Sequence, residues 1–421
     1  MIKEKIKKVI SVLSESKYVF FYNVFDRLFF FVFFVMIARK YEISQYGELI
    51  TVFTLGSVMA TIFDLGISYH LQREISRDTS NKNKYFNTAF ILNVLLFVPY
   101  IIISFLLYKL LYNDLFSVFL AIIVINFVIS QTNICNKALS GIKSFKSQFL
   151  ASFIPKIIFL IALIILVNNF NLSILKLLEI LLAALTINLF LSVSYCKKEG
   201  LKILWKTLEL KEYKKYLLLS FPLGAAIIIN LLYDRIDLLL VSKLTNFTES
   251  GIYNAGYSIF KASALGFSFI LNKGFTEFSE IKNNRVLFRH FILKYSKIIL
   301  VICIILNLIL FLLPDILVMF FYSTKFESSG FILKILSFSL IGMGLNNLFG
   351  TALNGNGNYK TVMYITLSAL LINILLNLIY IPIYGIKAAA IITVITEWLI
   401  FAGEFTYLIY FFRTDHKNAY I

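Results

Sequence analysis

Cysteine, histidine and charge are all scarce in this chain, which has 421 residues but only three cysteines, three histidines and 23 acidic residues. Cys135, Cys196 and Cys303 lie far apart in or beside apolar runs, without the spacing of a disulfide framework or a zinc knuckle, so they read as packing residues. His70, His290 and His416 are equally dispersed and belong to no zinc motif, which argues against a metal hydrolase. No Walker motif occurs, so ATP hydrolysis is not expected. Asn354-Gly355-Asn356-Gly357-Asn358 imitates a phosphate loop but lacks a following Gly-Lys-Ser/Thr, and it reads as a tight turn. With no nucleophile beside a plausible base, the chain is read as a protein without enzymatic activity and without a cofactor. Charged residues make up 15% of the chain against 59% hydrophobic and 16% aromatic, with a mean hydropathy of +0.83, a balance foreign to a water-soluble core.

What is present is a succession of long apolar runs. They fall at 18–38, 46–69, 85–108, 115–135, 146–167, 173–195, 215–241, 251–274, 290–313, 328–351, 360–381 and 386–411, each near the ~20 residues that a bilayer demands. Strands of a membrane barrel need only about ten, so the runs predict α-helices that satisfy their own backbone. The first begins near Tyr18 and exceeds the roughly 7 to 15 apolar residues of a signal-peptide core, so it is expected to be retained. The expected fold is an all-α polytopic membrane protein of about 12 helices.

The net charge of +17 sits in short loops beside these runs, where it acts as an orientation signal and a contact for anionic lipid; no basic run is long enough to track nucleic acid. With the N-terminus placed in the cytoplasm, alternate loops collect Lys and Arg in an excess of about four to one, from Lys3, Lys5, Lys7, Lys8 and Lys17 through Arg73, Arg77, Lys82 and Lys84 to Arg413 and Lys417. Both termini are therefore expected inside. The largest inner connection, 197–214, is Lys-rich and amphipathic and is expected to lie on the membrane surface. It divides the chain into a basic tail (1–17), a six-helix bundle (18–196), the linker, a second six-helix bundle (215–412) and a short tail (413–421).

An internal echo relates the halves. Phe25-Asp26-Arg27-Leu28 opens the first, and Tyr233-Asp234-Arg235-Ile236 opens the second. Six helices per half with the same entry direction predict parallel repeats, two bundles facing each other across a central cleft. Charges within the apolar runs mark the candidate site, because each costs about 2.5–3.5 kcal/mol at a helix centre. Neighbours on a helix point about 100° apart, so Asp26 is not expected to neutralise Arg27, nor Asp234 to neutralise Arg235. Each arginine then needs another partner, water or an anionic ligand: the two readings are an interhelical ion pair and a wet cleft where a phosphate docks bidentately. Asp64 and Lys261 lie in the second spans of their halves, and Glu397 in the last; Lys156 and Glu404 read as snorkelling or helix-end residues. The asparagines within the runs, at 23, 93, 126, 230, 307, 346, 347, 373 and 377, read as glue between helices.

Three stretches carry a family likeness. Ala38-Arg39-Lys40-Tyr41 through Ser44-Gln45-Tyr46-Gly47, with Phe63-Asp64-Leu65-Gly66-Ile67 and Arg73-Glu74-Ile75, resembles the opening of the polysaccharide-transporter branch of the multidrug/oligosaccharidyl-lipid/polysaccharide exporter superfamily. Asp234-Arg235-Ile236-Asp237 and Ser250-Gly251-Ile252-Tyr253-Asn254-Ala255-Gly256-Tyr257 are similar to its seventh and eighth helices. Asn373-Ile374-Leu375-Leu376-Asn377-Leu378, with Ile381-Pro382-Ile383-Tyr384-Gly385, is similar to its eleventh-to-twelfth junction.

The resemblance implies a Wzx-type flippase of the bacterial inner membrane. Such a protein moves an undecaprenyl-pyrophosphate-linked oligosaccharide to the periplasmic leaflet by alternating access between two six-helix bundles that form a V around a central cleft, for O-antigen (lipopolysaccharide) or capsule assembly. It implies substrate contacts at Arg27 and Arg235, with Lys261 as a further candidate, and membrane lipids and the glycan-polymerising machinery as partners; Asp26, Asp64, Asp234, Asp237 and Glu397, charges placed within the runs, are the acidic or coupling candidates. Asp26, Asp234 and Asp237 depart from a strongly cationic cleft. The alternatives are a drug exporter of the same superfamily, a flippase for peptidoglycan or teichoic-acid precursors, and a membrane glycan polymerase, which would want a larger outer loop.

Overall fold

The computed structural model describes residues 2–112, 116–203, 210–281 and 284–413. The middle of the expected surface linker, at 204–209, and most of the C-terminal tail, at 414–421, lie outside the described residues.

Among the described residues the chain is all-α, with no strand. The helices in order are α1 (Ile2–Lys40), α2 (Ile43–Asp64), α3 (Ile67–Arg77), α4 (Lys82–Leu111), α5 (Phe116–Gly141), α6 (Phe145–Asn169), α7 (Ile174–Lys198) and α8 (Leu210–Leu244). They continue with α9 (Phe247–Ser263), α10 (Leu265–Glu280), α11 (Arg285–Leu312), α12 (Pro314–Tyr322), α13 (Ser328–Ser337), α14 (Leu340–Gly355), α15 (Tyr359–Tyr384) and α16 (Ile386–Arg413). Among the described residues ten helices are long and apolar enough to cross a membrane, and α13 with α14, bent by 48°, makes an eleventh. The eighth expected span is occupied by two shorter helices, α9 and α10, of 17 and 16 residues. Hydropathy runs across such breaks undisturbed, because a helix can stop and restart without a polar residue. Prolines 99, 155, 222 and 382 sit inside helices, as membrane helices tolerate when neighbours re-satisfy the freed carbonyls.

The chain divides into two compact units, one of residues 1–36 with 52–228 and the other of 37–51 with 229–421. In the first unit, α5 packs against α3, α4, α6 and α7. Here α3 differs from every span. Ile67, Leu71 and Ile75 recur on one face and are fully buried, while Arg73 and Arg77 on the other remain exposed, the pattern of a helix lying at a surface. The sharp turn from α2 into α3 requires positive φ at two successive residues, Leu65 (48°) and Gly66 (78°). A Cβ on Gly66 would fall 2.5 Å from the Gly224 nitrogen, so α8 crosses this turn backbone against backbone. His70 stacks edge-on against Tyr216 of the same stretch of α8, ring centroids 4.7 Å apart.

In the second unit, α14 packs among α10, α11, α15 and α16, and α9 lies on α13. The tip between α1 and α2 is built into this unit. A Cβ on Gly47 would sit 1.7 Å from the Phe247 carbonyl oxygen, and Tyr46 is fully buried against Tyr322 and Phe326. Asn254 Nδ2 donates to the Tyr46 hydroxyl at 2.7 Å.

Candidate substrate and coupling sites

Helix α8 brings Tyr233, Asp234, Arg235 and Asp237 into the second unit one after another, so their side chains fan around the helix. Asp234 meets two cations. Lys261 of α9 donates to its Oδ1 at 2.5 Å, and Arg235 Nε approaches its Oδ2 at 3.4 Å. The contact with Arg235 corrects the expectation that Asp234 does not neutralise its neighbour: the guanidinium is long enough to fold back to the carboxylate. Tyr257, one turn before Lys261, donates to Asp234 Oδ1 at 3.0 Å. Two cations thus share one carboxylate, leaving one positive charge over. Neither cation is sealed off, as the Lys261 and Arg235 side chains are 28% and 36% exposed.

The remaining acids of this unit are held differently. Asp237 is buried, and every partner is neutral: Asn377 Nδ2 donates to Oδ1 at 2.7 Å, and the hydroxyls of Thr393 and Tyr253 donate to Oδ2 at 2.7 and 3.2 Å. Asn373 adds its Oδ1 to the cluster, 2.9 Å from Asn377 Nδ2. A buried carboxylate among amide and hydroxyl oxygens, without a lysine or arginine in ion-pair range among the described residues, has the chemistry to take up a proton or a hard cation. Groups of three or more His, Cys, Asp or Glu able to hold a metal do not occur among the described residues. Glu397, also buried, accepts from Asn346 Nδ2 at 2.6 Å, and Tyr233 donates to neighbouring Thr396 at 3.2 Å. Thr393, Thr396 and Glu397 lie at i, i+3 and i+4 and so give α16 one polar stripe.

The first unit answers with a different arrangement. Asp26 does not rely on Arg27. It pairs with Lys156 of α6, which also donates to Ser152 Oγ at 3.0 Å and lies 5.4 Å from the Phe29 ring centre. Lys156 is almost wholly buried, which corrects its reading as a snorkelling residue; its partner was hidden from the sequence because it comes from 130 residues away. Glu404, read in the same way, is buried too. Arg27 is exposed and makes no ion pair among the described residues. Asp64 caps the end of α2, accepting from Ser68 Oγ at 3.0 Å and Asn93 Nδ2 at 3.5 Å. Asn93 in turn accepts from Ser130 and Gln131, beside a cavity of about 20 Å³, room for one water.

The structure therefore brings Asp234, Arg235 and Lys261 together, and places Asp237, Glu397, Asp64 and Asp26 each with its own partners. The shell around Asp237 was not legible in the sequence beyond the presence of Asn373 and Asn377, read there as helix glue.

Comparison with known proteins bears on these sites. Residues 12–274 match the family model described as polysaccharide biosynthesis protein, and residues 222–379 match the MatE model. An uncharacterized membrane protein of Methanocaldococcus jannaschii is 23% identical over 410 residues, which span 93% of this chain and 96% of the relative. The fold is similar to the lipid II flippase MurJ in an inward closed conformation, with a TM-score of 0.74, 17% identity and coverage of 94% of this chain and 87% of that one. It is also similar to an inward-facing multidrug resistance MATE family transporter of the MOP superfamily, with a TM-score of 0.72, 14% identity and coverage of 92% and 93%. A MOP superfamily transporter from Pyrococcus furiosus, described as having a binding pocket of reverse polarity, aligns with a TM-score of 0.67 at 15% identity over 93% of each chain. The chain has the multi-pass helical fold of these transporters.

Proposed function

We propose a function from one premise: the chain belongs to the polysaccharide biosynthesis protein family. It is a flippase that carries an undecaprenyl-pyrophosphate-linked oligosaccharide from the cytoplasmic to the periplasmic leaflet of the bacterial inner membrane by alternating access, with both termini in the cytoplasm. The observation that carries this reading is the sharing of Asp234 between Arg235 and Lys261. It leaves a partly exposed positive charge inside an apolar helix bundle, the complement of a lipid diphosphate. Arg27, exposed and without an ion pair among the described residues, is the matching cation of the first unit.

The direction of transport follows from the charge on the cargo. Two negative charges crossing an inside-negative membrane outward gain roughly 2.3 kcal/mol each per 100 mV, enough to bias a two-state carrier. A second reading draws on the MatE match over residues 222–379 and on the buried carboxylates Asp237 and Glu397: an exporter of organic cations coupled to an ion gradient. Deleting the gene separates the two. The flippase reading expects lipid-linked oligosaccharide to accumulate facing the cytoplasm, with surface glycan lost. Normal surface glycan together with new drug sensitivity would overturn it in favour of the exporter.

A further inference from the structure

We infer that the second unit holds a saccharide-binding cavity at the end of the bundle where α8 finishes, α9 and α13 begin and α15 turns into α16. The inference rests on the flippase reading and extends it, since the proposed orientation makes this the outer end, where the exported glycan emerges. The cavity has a volume of about 620 Å³. That lies within the ~300–1,000 Å³ of small-ligand sites and gives room for a short glycan segment.

Its lining has the chemistry of sugar recognition. Phe331 and Tyr384 present rings that are 52% and 63% exposed, apolar faces on which the C–H face of a pyranose stacks. Glu249 and Lys387 line the same cavity, yet they form no ion pair with each other or with any other described residue. Lys387 instead rests its ammonium 5.2 Å from the Phe331 ring centre. Glu249 is fixed at the start of α9, its backbone N–H donating to Asn246 Oδ1 at 2.9 Å. The left-handed Gly385 (φ 62°) ends α15 and sets Tyr384 and Lys387 on either side of the turn. An interfacial belt of aromatics would account for the rings. It would not account for a carboxylate and an ammonium that share a cavity and leave their hydrogen-bonding capacity unspent on each other. A sugar hydroxyl accepts from Lys387 and donates to Glu249, so a ring stacked on Phe331 and Tyr384 satisfies both.

The test is saturation-transfer NMR on the full-length protein in nanodiscs. The probe is the free oligosaccharide released by mild acid from the lipid-linked units that accumulate on gene deletion, with glycerol as the control polyol. Wild type is expected to saturate the pyranose ring protons and spare glycerol. Phe331→Ala and the isosteric Glu249→Gln, each checked for an unchanged gel-filtration profile, are expected to bind roughly tenfold more weakly. Binding of sugar-free undecaprenyl pyrophosphate to wild type is measured in parallel. If the lipid diphosphate binds and the oligosaccharide does not, or if both variants bind the oligosaccharide like wild type, the cavity assignment is wrong while the flippase reading stands. If deletion yields no lipid-linked units, or wild type binds neither probe, the flippase reading fails and the cavity assignment falls with it.

Discussion

The dipeptide Asp-Arg stands on α1 of the first unit and on α8 of the second, and the two copies are served in opposite ways. Asp26 draws a buried lysine from α6, far along the chain, and its neighbour Arg27 is left exposed. Asp234 is clasped both by its own neighbour and by Lys261 from the next helix, and all three remain partly open. Two further aspartates of the halves also diverge: Asp64 ends a helix and is held by Ser68 and by Asn93, which lines space for one water, whereas Asp237 sits mid-helix inside a neutral shell. A repeated motif therefore carries its backbone position from half to half but not its partner. The first copy makes one structural pair around a buried lysine. Each copy leaves one positive charge over, but in the second it is shared by two partly exposed cations on one carboxylate, and this is why two of the three proposed substrate contacts lie there.

Removing each aspartate breaks the comparison most sharply. Asp26→Asn strands the Lys156 ammonium in a buried site, and the loss is expected on the order of 3 kcal/mol, the low end for a broken buried pair because Asp26 is itself 37% exposed. Thermal unfolding in detergent reads it. Next come the backbone contacts that each unit makes through glycine. Gly47→Ala and Gly224→Ala force a Cβ against the Phe247 carbonyl and the Leu65 carbonyl respectively, and each is expected to cost about 2 kcal/mol. Melting temperatures unchanged in both would contradict backbone-to-backbone packing at these two glycines. Asp234→Asn, by contrast, is expected to cost only about 1 kcal/mol, because the two cations it releases reach water. Equal losses for Asp26→Asn and Asp234→Asn would erase the distinction between a structural and a functional pair.

The smallest effect is one of pH. Burial lowers the pKa of His70 below its usual 6.5, and Arg73 Nη2 lies 3.1 Å from its Nδ1, a contact that suits the neutral ring with its proton on Nε2. The unfolded chain then binds the proton more readily than the folded one. Stability is fully present above about pH 6.5 and declines as the pH falls through the lowered folded-state value, by a shift of about 1 °C in melting temperature. His70→Phe should flatten that decline, and a slope that survives the substitution assigns the titration elsewhere.

The sequence made the long spans legible because a bilayer demands unbroken apolar length, and length is what hydropathy measures. It could not show the breaks, at Leu65–Gly66, at Ala264 and between α13 and α14, since an isolated charge such as Asp64 leaves the surrounding run apolar and no proline or polar cluster marks the stops. The surface helix was expected in the linker, where lysines cluster; the amphipathic helix among the described residues is α3, which the apolar residues at its start had merged into the second span. Charged positions inside the spans were readable one by one from their cost. Their pairing was not: Lys156 and Asp26 meet only through tertiary packing, and the fold-back of Arg235 depends on rotamer rather than on helical spacing.

Translocation by the purified protein in proteoliposomes, followed with a fluorescently labelled undecaprenyl-pyrophosphate-linked oligosaccharide, tests the central claim most directly. Wild type is expected to move the label between leaflets. The double variant Arg235→Ala with Lys261→Ala, which removes two charge-assisted contacts, is expected to slow it by ~100-fold or more while still inserting and melting as a folded protein. Undiminished translocation by that folded variant would contradict the account.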